Sequence, residues 1–384
     1  MDKPTRLPAQ ASFSSGPCPK RPGWRAEGLE TVALGRSHRS SLGKDRLKLA
    51  IDKTRAVLGV PESHLIGIVP ASDTGAVEMA MWNLLGPRPV TVAAWESFGQ
   101  DWVKDAVEEL GLDPVILSAP YGQLPDLHSI DPSHDVVFTW NGTTSGVRVP
   151  NGDWISDERE GLTLCDATSA AFAQDLPFEK LDVVTYSWQK VLGGEAQHGI
   201  LILGPRAVER INAHKPTWPM PKIFRLRKKT EINLGIFEGE TINTPSMLCV
   251  EDYIDALDWA QEIGGAEALK ARADANLGVL TSWVERTPWI EFLAPAEIRS
   301  NTSVCLSITD PKVAGLPEDQ QQGFIKAMTK LLAEEEAAFD IAGYRAAPPG
   351  LRIWCGATVE KSDLEALTPW LEWAFDETLS KLPK

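Results

Sequence analysis

The feature that most constrains this chain is a series of short, nearly unbroken apolar runs in its first two-thirds, several followed by helical periodicity. LIGIV (65–69) precedes GAVEMAMWNLLG (75–86), whose apolar residues recur three and four apart. VTVAA (90–94) precedes SFGQDWVKDAVEELG (97–111), which Gly111 would stop. Further runs stand at 113–117, 135–140, 162–166, 182–187 and 199–204. Strict alternation would mean strands wet on one face, whereas continuous runs mean strands covered on both. The pattern predicts an α/β unit, a mostly parallel sheet sandwiched between helices and joined by right-handed crossovers.

From about Met247 the texture changes. Two long amphipathic helices are expected at 247–265 and 266–286, then short strands at 302–308 and 351–355, with helices near 318–335 and 360–377. This reads as a smaller α+β C-terminal domain. The opening is rich in proline (Pro4, Pro8, Pro17, Pro19, Pro22), which holds the chain extended. The expected division is an N-terminal arm, 1–25, joining the small domain, then a large domain, 26–262, and the small domain, 263–384.

Charge and cysteine usage exclude several classes. With 38 Lys and Arg against 53 Asp and Glu, the net charge of −15 disfavours a nucleic-acid partner. No stretch approaches the roughly 20 apolar residues of a membrane helix, and the first residues lack the apolar core of a secretion signal. The five cysteines are scattered without a CxxC pair, and the six histidines do not join them at ligand spacing. The expectation is a reduced, soluble, cytoplasmic protein without a disulfide framework or a metal.

Chemistry concentrates around SWQKVLGG (187–194). Lys190 follows an apolar strand and precedes a glycine pair. Standing alone it reads as a surface lysine in a strand-to-loop turn. Asp166, alone a helix cap, ends the run LTLCD one β-unit earlier, so in a parallel sheet both reach the carboxyl edge, where ligands bind in open α/β sheets. A lysine and a carboxylate there match pyridoxal phosphate chemistry. The amine forms a Schiff base with the aldehyde, and the carboxylate keeps the pyridine nitrogen protonated. The turn VPASDTGAVEMA (69–80) offers a helix N-terminus for the cofactor phosphate, or simply a capped helix. At the same edge, Thr143 in WNGTTSG is a candidate donor and Phe98 a candidate ring cover.

The order FSSGP (13–17), SHR (37–39), Asp166, Gln189-Lys190, NTPS (243–246) and GLR (350–352) resembles the phosphoserine aminotransferase family, from about residue 11 to 356. That family belongs to the class V branch of the fold-type I pyridoxal phosphate enzymes. The resemblance implies Lys190 as the Schiff-base lysine and proton carrier, and Asp166 as partner of the pyridine nitrogen. Gln189 and Thr143 would contact the cofactor, Phe98 would cover its ring, and Asp73 and Thr74 would supply the phosphate turn. Asn243 and Thr244 would reach a neighbour's cofactor phosphate, making a homodimer. Ser15, His38 and Arg39 would contact the amino-acid substrate, and Arg352 would grip its α-carboxylate.

The implied reaction is two-stage transamination of O-phospho-L-serine and 2-oxoglutarate to 3-phosphooxypyruvate and L-glutamate, with 4-phosphooxy-L-threonine as a further family substrate. The sequence departs from the better-known branch at Ala71–Gly75, where that branch carries a glycine-rich turn with an arginine. It departs again at Phe98, where that branch stacks a tryptophan and where Trp95 and Trp102 compete. Because the substrates are anions, the basic run RLRKK (225–229), with Arg225 and Arg227, is either a substrate-phosphate site or a solvated loop. The alternatives are a serine– or alanine–glyoxylate aminotransferase, a cysteine desulfurase, and a cofactor-binding homologue without catalysis. A desulfurase needs a mobile cysteine, whereas Cys305 and Cys355 fall inside apolar strands.

Overall fold

A computed structural model describes residues 2–382; Met1 and residues 383–384, the ends of the expected arm and small domain, lie outside the described residues. Seven apolar runs become one sheet: β1 (Leu65–Pro70), β2 (Val90–Ala94), β3 (Val115–Ser118), β4 (Asp135–Thr139), β5 (Thr163–Asp166), β6 (Val183–Ser187) and β7 (His198–Leu203). Their spatial order is β1-β7-β6-β5-β4-β2-β3. Every pair from β6 to β3 is parallel, while β7 runs antiparallel to both β6 and β1. The exception has a simple cause. The link from β6 to β7 contains no crossover helix, so the chain must fold back beside itself.

Both faces of the sheet are covered, which explains the continuous apolar runs. Val184, Ile200 and Ile202 join one core, whereas their sequence neighbours Val183, Leu201 and Leu203 join the other. Helices α1 (Ser41–Leu58) and Met247–Glu262 contribute to the first core; α2 (Ser72–Leu84), α3 (Ser97–Lys104) and Pro205–Ala213 contribute to the second. Periodicity did not single out α1, because Lys, Arg and Asp crowd its exposed face. It is delimited instead by Ser40, whose hydroxyl accepts from the Gly43 amide at 3.2 Å, and by Gly59 at φ 71°. The helix expected over 97–111 ends as α-helix at Lys104 and continues as a wider turn, Asp105–Glu109.

The C-terminal part packs Gly265–Val284, Glu318–Glu334 and Lys361–Leu379 against an antiparallel sheet of Ile290–Phe292, Ser303–Ile308 and Leu351–Trp354. The N-terminal arm lies along this part. Ser12 bridges Phe339, the Trp354 amide donates to the Phe13 carbonyl at 3.1 Å, and the Phe13 side chain is fully buried. The arm thus delivers Ser15, Gly16 and Cys18 to the carboxyl edge of the large sheet. Among the described residues, no helix is long and apolar enough to cross a membrane.

Candidate cofactor and substrate site

Strands β5 and β6 are parallel neighbours, with Asp166 in register with Thr185. Asp166 ends its strand, and the chain leaving β6 turns at once through 188–194, so the two residues meet at one edge. Lys190 is buried, and its Nζ donates to the Ser15 carbonyl at 2.6 Å. Gly16 makes room for it: a Cβ on Gly16 would stand 2.5 Å from that nitrogen. Burial pushes the Lys190 pKa down, and the nearby Arg352 charge pushes the same way; Cys18, Asp166 and Glu96 oppose them. A lysine so placed releases its proton more readily and is a better nucleophile than one in water.

The Asp166 carboxylate accepts from Trp102 Nε1 at 3.2 Å and from the Thr168 amide at 3.0 Å. Burial raises its pKa, and these hydrogen bonds hold it down. Asp73, in the first turn of α2, does not face the exposed turn. Its carboxyl is buried against that of Asp166. Glu96 caps α3, accepting from the Gly99 amide at 3.0 Å and the Thr144 hydroxyl at 2.6 Å. It thereby fixes Phe98 and Trp102 relative to the 140–146 turn.

Phe98 is half-buried at the rim, its ring 5.8 Å from that of Tyr344. Tyr344 lies beside two cations, with Arg345 at 5.8 Å and Arg352 at 5.6 Å from its ring. Arg352 Nε is buried and has no hydrogen-bond partner among the described residues. A buried guanidinium N–H without an acceptor is costly, so this atom is suited to an anionic ligand.

No family model matches the chain. The phosphoserine aminotransferase of Methanosarcina mazei is 56% identical over 376 residues, spanning 97% of this chain and 99% of the relative. The chain belongs to the phosphoserine aminotransferase family. In solved structures, the phosphoserine aminotransferase of Cytophaga hutchinsonii superposes with a TM-score of 0.81 at 20% identity, over 95% of this chain and 98% of that one. A pyridoxal phosphate-bound phosphoserine aminotransferase from Trichomonas vaginalis gives 0.72 at 16% identity, over 94% and 99%. At these identities the superpositions speak for the fold, which is that of the pyridoxal phosphate-dependent aminotransferases.

Viewed as a member of this family, the chain brings some of its expected residues together and leaves others apart. Thr143 is buried, its hydroxyl donating to Ser169 at 2.9 Å, and its carbonyl accepts from Ser303, whose hydroxyl also reaches Ser15 at 3.4 Å. Gln189 accepts a short hydrogen bond from Ser187. Thr74 is exposed at the N-terminus of α2, where Ala71 and Ser72 both take positive φ. His38 and Arg39 immediately precede the cap of α1, and Arg39 is exposed. Asn243 is half-exposed and Thr244 exposed on a loop tethered where the Ser246 amide donates to His198 Nε2 at 3.1 Å.

Arg225 and Arg227 are not brought to Lys190 within the chain. They bind the carbonyls of Met220, and of His214 and Thr230, respectively. Their loop is tied to Asn83, near the far end of α2 and about 16 Å along its axis from Ser72. Within the chain the run is thus braced near the C-terminal end of α2. Glu96, Tyr344 and Arg345 carry no motif in the sequence, and Trp102 stands out there only as a competing stacking ring. Trp102 stands four residues from Phe98, a spacing that puts both on one helix face. Nothing local marks Arg345, because only tertiary folding sets its neighbour Tyr344 beside Phe98 and Arg352.

Proposed function

We propose that this chain is a phosphoserine aminotransferase, moving an amino group between O-phospho-L-serine and 2-oxoglutarate to give 3-phosphooxypyruvate and L-glutamate. The observation that carries the reading is Lys190, buried and nitrogen-tethered at one carbonyl, set one β-unit from the hydrogen-bonded carboxylate of Asp166. The residues fit pyridoxal phosphate: an amine of lowered pKa, a buried carboxylate, and the α2 N-terminus at the same edge. When bound, that cofactor supplies an aldehyde and a ring able to delocalise the electron pair left as the substrate α-proton departs.

The protein's part is positioning and proton transfer. Lys190 Nζ takes the α-proton from the amino acid in the first half-reaction and, with the steps reversed, delivers a proton to the α-carbon of the keto acid in the second. Asp166, held by Trp102 and Thr168, keeps its charge toward the ring nitrogen. Arg352 binds the α-carboxylate with its unpartnered Nε, and Arg345, across Tyr344, is the second cation that a doubly anionic substrate calls for. Ser15, His38, Gln189, Thr143, Thr74 and Phe98 complete the reading as contacts of substrate or cofactor. Asn243 and Thr244, outward-facing and anchored through Ser246, are suited to reach a second copy, so the active unit is a homodimer that also brings in Arg39. The division into arm (1–25), large domain (26–262) and small domain (263–384) belongs to the same reading, supported by the Ser12–Phe339 pairing. Free cysteines, four of the five buried, suit a reducing cytoplasm. The same reading extends to 4-phosphooxy-L-threonine, longer by one hydroxymethylene (CHOH) group between the α-carbon and the phosphate-bearing carbon, which would add a role in pyridoxine synthesis.

The test is a titration of the bound cofactor's visible band with O-phospho-L-serine, L-serine and L-alanine. Collapse of the band with phosphoserine alone is expected. Collapse with serine or alanine would instead indicate a glyoxylate-type aminotransferase, and no band even with added cofactor would leave a non-catalytic homologue.

A further inference from the structure

Asp73 and Asp166 form a buried carboxyl pair that the reaction as drawn does not use. They come from different elements, the first turn of α2 and the end of β5, and their carboxyls meet within hydrogen-bonding reach. Only 6% of Asp73 and 3% of Asp166 is exposed. The donors around them are unequally shared. Asp166 receives Trp102 Nε1 and the Thr168 amide, whereas Asp73 Oδ1 has no donor among the described residues. The buried Thr185 hydroxyl favours the ionised form of Asp73 only weakly, since it completes no hydrogen bond of good geometry among the described residues.

Two ionised carboxylates in contact, both out of water, are strongly disfavoured, so such a pair retains a proton. The unequal donors decide where. The ionised form is supported at Asp166, and the proton sits on the carboxyl with the weaker set of donors. We propose that Asp73 is a positioning residue that stays protonated at neutral pH and donates its hydrogen bond to Asp166, so that the pair carries one negative charge on the carboxylate facing the cofactor ring.

The surroundings agree. Burial and the Asp166 charge push the Asp73 carboxyl well above the ordinary range, and the bond from Asp73 holds Asp166 down. The other groups facing the pair are Lys190, whose charge favours ionisation, the Cys165 thiol, itself raised by burial and by both aspartates, and Glu96, which is nearer Asp166. One lysine cannot neutralise three buried carboxylates, which is a further reason for a retained proton. The arrangement also accounts for an acidic residue at the start of a helix offered to a phosphate, because a neutral Asp73 repels no anion.

This inference rests on the cofactor reading for its purpose, but not for its first test. In cofactor-free protein labelled with 13C at the aspartate carboxyls, the difference spectrum between wild type and Asp73→Asn is expected to show a carboxyl still protonated at pH 8. An Asp73 signal fully ionised by pH 6 would overturn the proposal, whether or not the protein binds the cofactor. The second test is the dissociation constant for pyridoxal phosphate. Asp73→Val removes the donor and is expected to weaken binding about 10- to 150-fold, the range of one hydrogen bond to a charged group. The loss should be greater at pH 6 than at pH 8, because Asp166 without its donor protonates more readily. Asp73→Asn, which keeps an N–H donor and no charge, should recover most of that affinity with little pH dependence. If Asn binds as poorly as Val, the proton on Asp73 is not what matters and the proposal fails. Failure of all variants and wild type to bind pyridoxal phosphate would refute the functional reading alone.

Discussion

Gly16→Ala tests how closely Lys190 must fit the N-terminal arm. The added Cβ would lie 2.5 Å from Lys190 Nζ, 3.3 Å from Cε and 3.8 Å from Cδ, where ordinary contacts begin at 3.4 Å. The nitrogen must therefore retreat by close to 0.9 Å, the difference between 3.4 and 2.5 Å, and its 2.6 Å bond to the Ser15 carbonyl is lost. The obstructed group is the end of a flexible side chain, but Gly16 sits at φ 159°, where an L side chain is strained, so the variant should also lose on the order of 1–3 kcal/mol of stability and melt a few degrees lower. Catalysis should not be spared. A displacement of this size costs about a hundredfold in rate, or about 2.7 kcal/mol of barrier. The assay is steady-state transamination of phosphoserine with 2-oxoglutarate, beside circular-dichroism melting. A variant that keeps kcat within threefold would show that the close fit of lysine to arm has no part in the chemistry. One that simply unfolds would show that Gly16 is a folding requirement instead.

Three further outcomes follow from the same geometry. Arg352→Ala should lower kcat/KM for phosphoserine by about 10- to 150-fold, the range for a hydrogen bond to a charged group, and unchanged kinetics would remove Arg352 from the substrate site. His198 is buried and its pKa is lowered from 6.5 to about 4, so the unfolded chain takes up its proton first and stability falls as pH drops through that window. Urea unfolding at pH 7.5 and pH 5 should show His198→Gln, which keeps an acceptor for Ser246, losing about 2 kcal/mol less than wild type between the two. Glu78 is half-buried beside Asp105 and Glu109; burial first, and then those charges, raise its pKa from 4.5 to about 7. Its ionisation weakens the fold as pH rises through that interval, so Glu78→Gln should gain about 1 kcal/mol at pH 8, after allowance for solvent screening, and almost nothing at pH 5; an equal gain at both would show that charge is not the cause.

By itself the sequence determined the layers and the edge. Apolar runs with alternate members such as Val183 and Val184 in two different cores can only be strands covered on both sides, and run ends locate the carboxyl edge where Asp166 and Lys190 lie. The physical reason is that burial is periodic and local, so it is written in consecutive residues. What distant segments do to one another is not written that way. Whether the last strand turns back, and that Trp102, Asp73 and Asp166 share one buried cluster, depend on contacts between residues far apart in the chain. Tertiary packing decided these, because a charge's role is set by the groups that surround it once water is excluded.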